Sequence, residues 1–435
     1  MTKPSKEEAL NRVELAVYNV VKRNPRLKMG IRNAYQRICD VVPVKSAVSR
    51  YSIAVREGYF FGFHDKCPWS QDNAMLLANQ CDIPPRMPRS DDCVTVGYFT
   101  GENFGDFNPV AQTKAWNWQQ GCMLQWIGAT NSFIFNDFDG VSHVARICDS
   151  AGKLTRTLPV PIGALSPSGG YALSYSFERC HVYSPGYGYA SGCDREKDIQ
   201  KPTGHGLKVV DLSSEQVKDL FCVKDIAALQ PDVSMDGAFH YLTHCQFAPS
   251  SRRFVFFHRW IKDFNYLRTR MISCDLSGKD LFVFPTNGMV SHVAWRDDRH
   301  VLAYARIKEK GDRYVLFEDG NEEFAVVGEK HFNSDGHPSF SPDRRWIVTD
   351  TYPDRFRVST LILYDTQTDR RFDLAKLRSP REFASPNLES TWPCDLHPRW
   401  DRSGTRICFD SAHTGRRALC TIRLGDLAAE GSKYV

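Results

Sequence analysis

Asp335-Gly336-His337-Pro338-Ser339-Phe340-Ser341-Pro342-Asp343-Arg344-Arg345-Trp346-Ile347-Val348-Thr349-Asp350 decides the fold, because its pattern returns in weaker copies along the chain. A histidine opens a short apolar strand, Ser-Pro-Asp supplies a tight turn, and Trp-Ile-Val leads away as a second strand ending on an aspartate. Proline suits the first central position of such a turn because its ring fixes φ near the required value, and small polar neighbours bond their own backbone. The stretch reads as a β-hairpin.

The same template fits Pro68-Trp69-Ser70-Gln71-Asp72 before Met75-Leu76-Leu77, Leu124-Gln125-Trp126 before Phe133-Ile134-Phe135, and Leu165-Ser166-Pro167 before Tyr171-Ala172-Leu173. It fits again at Phe247-Ala248-Pro249 before Phe254-Val255-Phe256, at Ala294-Trp295 before Val301-Leu302-Ala303, and at Arg399-Trp400-Asp401 before Ile407-Cys408-Phe409. With the opening stretch this makes about seven copies at intervals of roughly 40 to 80 residues, the period of propeller blades with loop insertions. Several are followed by another strand ending in aspartate, as in Leu207–Asp211, Met271–Asp275 and Leu361–Asp365. The expected fold is all-β, a seven-bladed propeller over residues 51–435, whose radial repetition leaves only short sheet edges.

Residues 1–50 lie outside the repeat and predict a helical hairpin. Ser5 followed by Glu8 matches the pattern of a capping box. Leu10, Val13, Val17, Val20 and Val21 share one helical face, Pro25 ends that helix, and Ile31, Tyr35, Ile38 and Val42 mark a second. Basic residues here, including Lys22, Arg23 and Arg26, suit a protein partner or an acidic membrane surface, although charges solvated on a hairpin packed against the propeller are the simpler reading.

With 42% hydrophobic and 25% charged residues among 435, the composition disfavours disorder and membrane spanning. A net charge of +5, from 56 Lys+Arg against 51 Asp+Glu, makes no demand for nucleic acid and mildly favours an acidic ligand. The opening residues contain no apolar signal-peptide core, so the expected location is cytoplasmic. Fourteen scattered cysteines without a CxxC pair read as reduced.

Two irregular segments stand out. Gly101–Gln120 carries Phe104, Phe107, Trp116 and Trp118, which suit either a sugar-stacking platform or packing over the end of the propeller. The longest insertion, Arg179 to about Gly206, is rich in tyrosine and reads as a binding loop.

Superposing the repeats places His244, His292, His337 and His397 at one position in successive blades. If the inner strands line the axis, these imidazoles converge on one mouth. Cys394 lies three residues before His397 and could join them. Histidines with a thiolate suit a divalent metal, zinc first and manganese next, with His292, His337, Cys394 and His397 the expected ligands. The alternative is that each histidine bonds neighbouring backbone and ties blades together.

Thr243-His244-Cys245-Gln246-Phe247, His337 to Asp343, and Cys394-Asp395-Leu396-His397-Pro398-Arg399-Trp400 resemble seven-bladed propeller polysaccharide lyases of the oligogalacturonate and ulvan lyase kind, over roughly residues 55–425. The resemblance implies β-elimination from uronic-acid-containing saccharides. A proton beside the sugar carboxylate is removed, which requires that the carboxylate charge be neutralised. It implies His244 as base, the downstream histidines as metal ligands, Arg179 as the ulvan-type arginine, and Tyr183 or Tyr187 as proton donor or sugar contact. Gly163 departs from that pattern, standing where an upstream tyrosine is expected. The competing expectation is a non-catalytic propeller that binds acidic glycans or scaffolds polysaccharide metabolism around a structural zinc.

Overall fold

The computed structural model describes residues 25–262, 266–385 and 392–425. They form seven antiparallel sheets, each ordered from an inner to an outer strand, and consecutive inner strands lie side by side around one axis. The chain is a seven-bladed β-propeller. Blade one runs from Tyr59–Phe60 to Asp106–Thr113, blade four from Phe239–Phe247 to Phe282–Val283, and blade six from Ser339–Phe340 to Arg370–Arg378.

The repeat's turn forms as its residues dictate. Arg344 N–H donates to the Ser341 carbonyl at 2.8 Å across Pro342-Asp343, and Trp346 N–H donates to Ser341 Oγ at 2.9 Å. Arg344 then takes a left-handed φ of 64°, the position filled by Gly169 and Gly404 in other blades. The tryptophans of the repeat fasten neighbouring blades: Nε1 of Trp126, Trp295 and Trp400 donates to the carbonyls of Pro68, Gln246 and Ser339 on the preceding inner strand or its turn. Each indole thus buries apolar area between sheets without leaving its polar atom unpaired.

The N-terminal side closes the ring. Ala54–Glu57 pairs with Ala418–Arg423 as the outermost strand of blade seven, whose other strands come from the C-terminal end. Ala47–Ser49, grouped with residues 1–50 on sequence, pairs with Ala375–Leu377 as a fifth strand of blade six. Of the predicted hairpin, the second helix is present at Pro25–Cys39. The first, carrying Leu10 to Val21, lies outside the described residues. The observed helix meets blade six through polar contacts, with Gln36 Nε2 donating to the Asp354 carbonyl at 3.1 Å, while Tyr35 and Ile38 are exposed. All fourteen cysteines are free.

Trp116, Trp118 and Phe104 are buried in the core of blade one, so the aromatic segment is packing and not an exposed platform.

Candidate active site

Blade one's inner strand is short, and after it the chain turns inward. Gly62 has φ 119°, and a Cβ there would lie 2.6 Å from the Gln120 carbonyl carbon, so only glycine fits this approach. Arg399 holds the segment by donating to the carbonyls of Gly62 at 2.8 Å and Phe63 at 3.2 Å. Phe63 thereby reaches the axis, its ring centroid 5.3 Å from His244, 5.9 Å from His292, 6.2 Å from His337 and 5.0 Å from His397.

The histidines of the repeat therefore converge as their register requires. Ring centroids of His292 and His337 are 4.1 Å apart, and those of His337 and His397 are 4.2 Å apart. His244, His292 and His397 adopt left-handed φ values of 54°, 45° and 44°. The first two lie where strand register shifts, between Thr243 and Gln246 and between Ser291 and Val293. A bulge re-aims one side chain out of the sheet's alternation, and backbone strain at a non-glycine residue persists where the surroundings over-determine it.

Aspartates orient this ring. Asp350 Oδ1 accepts from His337 Nδ1 at 2.8 Å and from its backbone N–H at 2.8 Å, while Oδ2 accepts from the backbone N–H of His397 at 3.1 Å. Asp335 accepts from His292 Nδ1 at 3.0 Å. A carboxylate on Nδ1–H leaves the Nε2 lone pair for another group. Burial pushes the imidazole pKa values of His64, His244, His337 and His397 well below the ordinary value, so they are neutral near pH 7. Burial also raises Asp350 and Asp395 to about 7, with the Asp335 charge adding to the rise of Asp350 and the Asp350 charge to that of Asp395.

Ligand atoms of His337, Asp395 and His397 lie within 4.8 Å of one another, and the Nε2 atoms of both histidines are buried without a partner. Two imidazoles and a carboxylate fit a divalent cation. Cys394, the expected ligand, is replaced in this group by its neighbour Asp395. Cys394 packs with Phe383 and Ala412, where burial pushes its thiol up to about 12. His292 adjoins the trio with its Nδ1 on Asp335, but its ligand atoms fall outside the group that lies within 4.8 Å.

The insertion delivers Tyr187, whose ring centroid is 4.9 Å from His244. It does not deliver Arg179 or Tyr183. Arg179 is 1% exposed and donates to Asp194 and to the carbonyls of His240, Glu196, Ile199 and Gln200, so it braces the loop from inside. Tyr183 stacks on Phe239 and Tyr241 and donates to the Lys197 carbonyl. The cation at the mouth is Arg259, from blade four's second strand. It lies over Tyr187 at 5.7 Å and Phe257 at 5.6 Å; its Nε is buried and unpartnered, and it forms no ion pair among the described residues. Its charge adds to the lowering of His244. Tyr352 stands across the mouth, 5.5 Å from His337.

Sequence reasoning missed Arg259, Asp395, Asp335, Asp350 and His64. Asp335 and Asp350 bound the very stretch that defines the repeat, so that signal was present. Arg259 carries none, being one arginine in the strand Arg253–Lys262.

Behind the insertion, Arg270 Nε donates to His258 Nδ1 at 3.0 Å, His258 Nε2 donates to His240 Nδ1 at 2.9 Å, and His240 Nε2 donates to the Met235 carbonyl at 3.3 Å. Both imidazoles are neutral in this chain. Burial lowers His240 to about 4 and His258 well below its ordinary value. An unfolded histidine titrates near 6.5, so between about pH 6.5 and 4 the unfolded state binds more protons. Stability present above pH 6.5 is therefore lost as pH falls toward 4, by on the order of 3 kcal/mol for His240 alone. Urea unfolding in chelator at pH 7 and pH 5 measures this, and equal stability at both would contradict it.

Fold and mouth together define a seven-bladed propeller with an axial cluster of imidazoles and carboxylates beside an arginine that forms no ion pair among the described residues. No protein-family model matches the chain, and no curated protein does. Among solved structures it is similar to an oligogalacturonate lyase in complex with manganese, at 12% identity over 88% of this chain and 99% of that one, with a TM-score of 0.59. It is equally similar to an oligogalacturonate lyase from Vibrio parahaemolyticus, at 11% identity, 88% and 99% coverage and a TM-score of 0.59. At these identities the likeness establishes the shared propeller fold.

Proposed function

We propose that this protein is a propeller lyase that cleaves uronate-containing oligosaccharides by β-elimination at the histidine mouth, assisted by a divalent cation. The observation that carries the reading is Arg259, a buried guanidinium without an ion-pair partner among the described residues, beside His244 and Tyr187. A buried cation of this kind is relieved by an anionic ligand, and a sugar carboxylate matches its planar donors. The solved oligogalacturonate lyases of the same fold support the substrate class, and the manganese in one of them supports the cation.

The residues divide the chemistry as follows. Arg259 holds the uronate carboxylate and makes the adjacent C–H acidic. His292, with Nδ1–H held by Asp335, presents a basic Nε2 and takes that proton. Burial, and after it the Arg259 charge, disfavour the protonated form of His244, the base that the resemblance implies. The electron pair of the broken C–H bond becomes the new C=C bond, the glycosidic C–O bond breaks, and Tyr187 is positioned to return a proton to the departing oxygen. A divalent cation bound by His337, Asp395 and His397 would add positive charge beside the carboxylate as negative charge builds there. We place this activity in the cytoplasm, on imported or biosynthetic saccharides.

The test is to incubate the protein and Mn2+ with a panel of uronate oligosaccharides and follow the ultraviolet absorbance of the unsaturated product. The wild type should give signal, and His292→Ala should lose roughly 10²–10⁴-fold in rate while retaining Mn2+ binding. Absence of product across the panel, with saccharide binding intact, would replace the lyase by an acidic-glycan-binding propeller.

A further inference from the structure

We propose that a pocket between blades one and seven, lined by Arg416, Arg417 and Trp392, holds the carboxylate of a further uronate unit of the bound saccharide. This deepens the function proposed above and rests on uronate binding at the histidine mouth.

The pocket, about 130 Å3 in volume, lies at the same end of the propeller as the mouth. Trp392 and His397 both precede Arg399–Trp400, the inner strand of blade seven. In an antiparallel sheet the connection between the second and third strands returns to the end at which the inner strand begins. Two such connections line the pocket: residues 81–85, which follow Leu76–Gln80 of blade one, and residues 415–417, between Arg406–Ser411 and Ala418–Arg423 of blade seven. Trp392 is three residues from Asp395 of the cation group, a span of at most about 11 Å. Arg259 comes from blade four, on the far side of the ring, so a saccharide reaching from Arg259 to this pocket crosses the mouth.

Two adjacent guanidiniums meet here. Arg417 is 8% exposed. Its Nη1 donates to the Trp118 carbonyl at 3.4 Å, and its Nη2 donates to the carbonyls of Trp392 and Pro393 at 2.8 and 3.0 Å, so neutral acceptors hold it in place. Its Nε is buried without a partner, and no carboxylate hydrogen-bonds it among the described residues. Arg416 is exposed, and its ion pair among the described residues is with Asp82 at 3.3 Å, where Asp82 is 78% exposed at the side chain. A surface pair of this kind contributes little and gives way to a better-placed anion. Two cations against one carboxylate leave the lining positive, and a planar carboxylate matches guanidinium donors. Half-buried Trp392, with Pro84 and Pro85, supplies apolar surface for the sugar ring.

The experiment measures binding by titration calorimetry in the Mn2+-loaded His292→Ala chain, which leaves the saccharide uncleaved, with digalacturonate and tetragalacturonate as probes. Tetragalacturonate should bind about tenfold tighter, the gain expected of one more charge-assisted contact. Arg416→Gln in that chain should abolish the gain. Asp82→Asn, which frees Arg416 from its competing carboxylate, should enlarge it, and neither substitution should alter digalacturonate affinity. Both side chains are exposed, so both variants should fold, and melting temperatures check this. Equal affinity for the two lengths, or a gain that either substitution leaves unchanged, would overturn the pocket's role and leave uronate binding at the mouth standing. Binding of neither saccharide would overturn both.

Discussion

Arg399→Ala should lower unfolding stability by about 3–5 kcal/mol, the cost of removing one partner from a buried ion pair. Arg399 and Asp410 are each 1% exposed at the side chain, with Nη2 and Oδ2 3.2 Å apart. The guanidinium also lies 5.0 Å over the Phe61 ring and satisfies the Gly62 and Phe63 carbonyls. Without it, Asp410 is a buried carboxylate that keeps the backbone N–H groups of Phe61 and Gly62 as donors and the charge of Arg417 nearby. Burial already raises the Asp410 pKa, and the loss of Arg399 raises it further. A carboxylate whose folded pKa lies above its unfolded value favours the folded state at low pH and loses that advantage as pH rises, so the defect should be larger at pH 8 than at pH 5. Urea midpoints at the two pH values, compared with wild type, measure it. Restoration by Asp410→Asn in the same chain would tie the loss to the orphaned charge. A wild-type midpoint in Arg399→Ala would remove Arg399 as the anchor of the axial segment.

Arg259→Met should lower kcat/KM on uronate oligosaccharides by about 10³-fold, because truncating a buried charged hydrogen-bonding partner costs roughly 2–5 kcal/mol. Methionine keeps much of the packing against Phe257 and Tyr187 while removing the charge. Folding should be retained, since the guanidinium has no ion pair to lose among the described residues and its Nε has no partner. Arg179→Met should behave differently: its donors hold Asp194 and several carbonyls, so it should destabilise the insertion and reduce activity only through that loss. Kinetics and thermal melts on both variants separate the cases. Equal activity in Arg259→Met and wild type would return the carboxylate-binding role to another group.

The channel histidines were legible because the repeat defines their register: equivalent positions on inner strands meet at the axis whatever the loops do. The pattern could not show that His244, His292 and His397 would reach the mouth through left-handed backbone at their positions. Cys394 is a plausible ligand by spacing, but it packs with Phe383 and Ala412 while Asp395 joins the cluster instead. The insertion stands out by its length and tyrosines, and of its candidates Tyr187 alone reaches His244, while Arg179 and Tyr183 point into the loop's own support. The aromatic segment Gly101–Gln120 had two readings on sequence, and burial of Trp116 and Trp118 selects packing.

By itself the sequence determined the all-β class, the blade number, the Ser-Pro-Asp turn and the ring of histidines, because each depends on local turn chemistry and a repeating period. Tertiary structure alone decided the closure by Ala54–Glu57, the passage of Phe63 and His64 to the axis, and the presence of Arg259 at the mouth. These are matters of where long side chains and distant strands end up once the ring is closed. A contact between residues more than three hundred positions apart, such as Arg399 with Gly62, leaves no trace in local pattern.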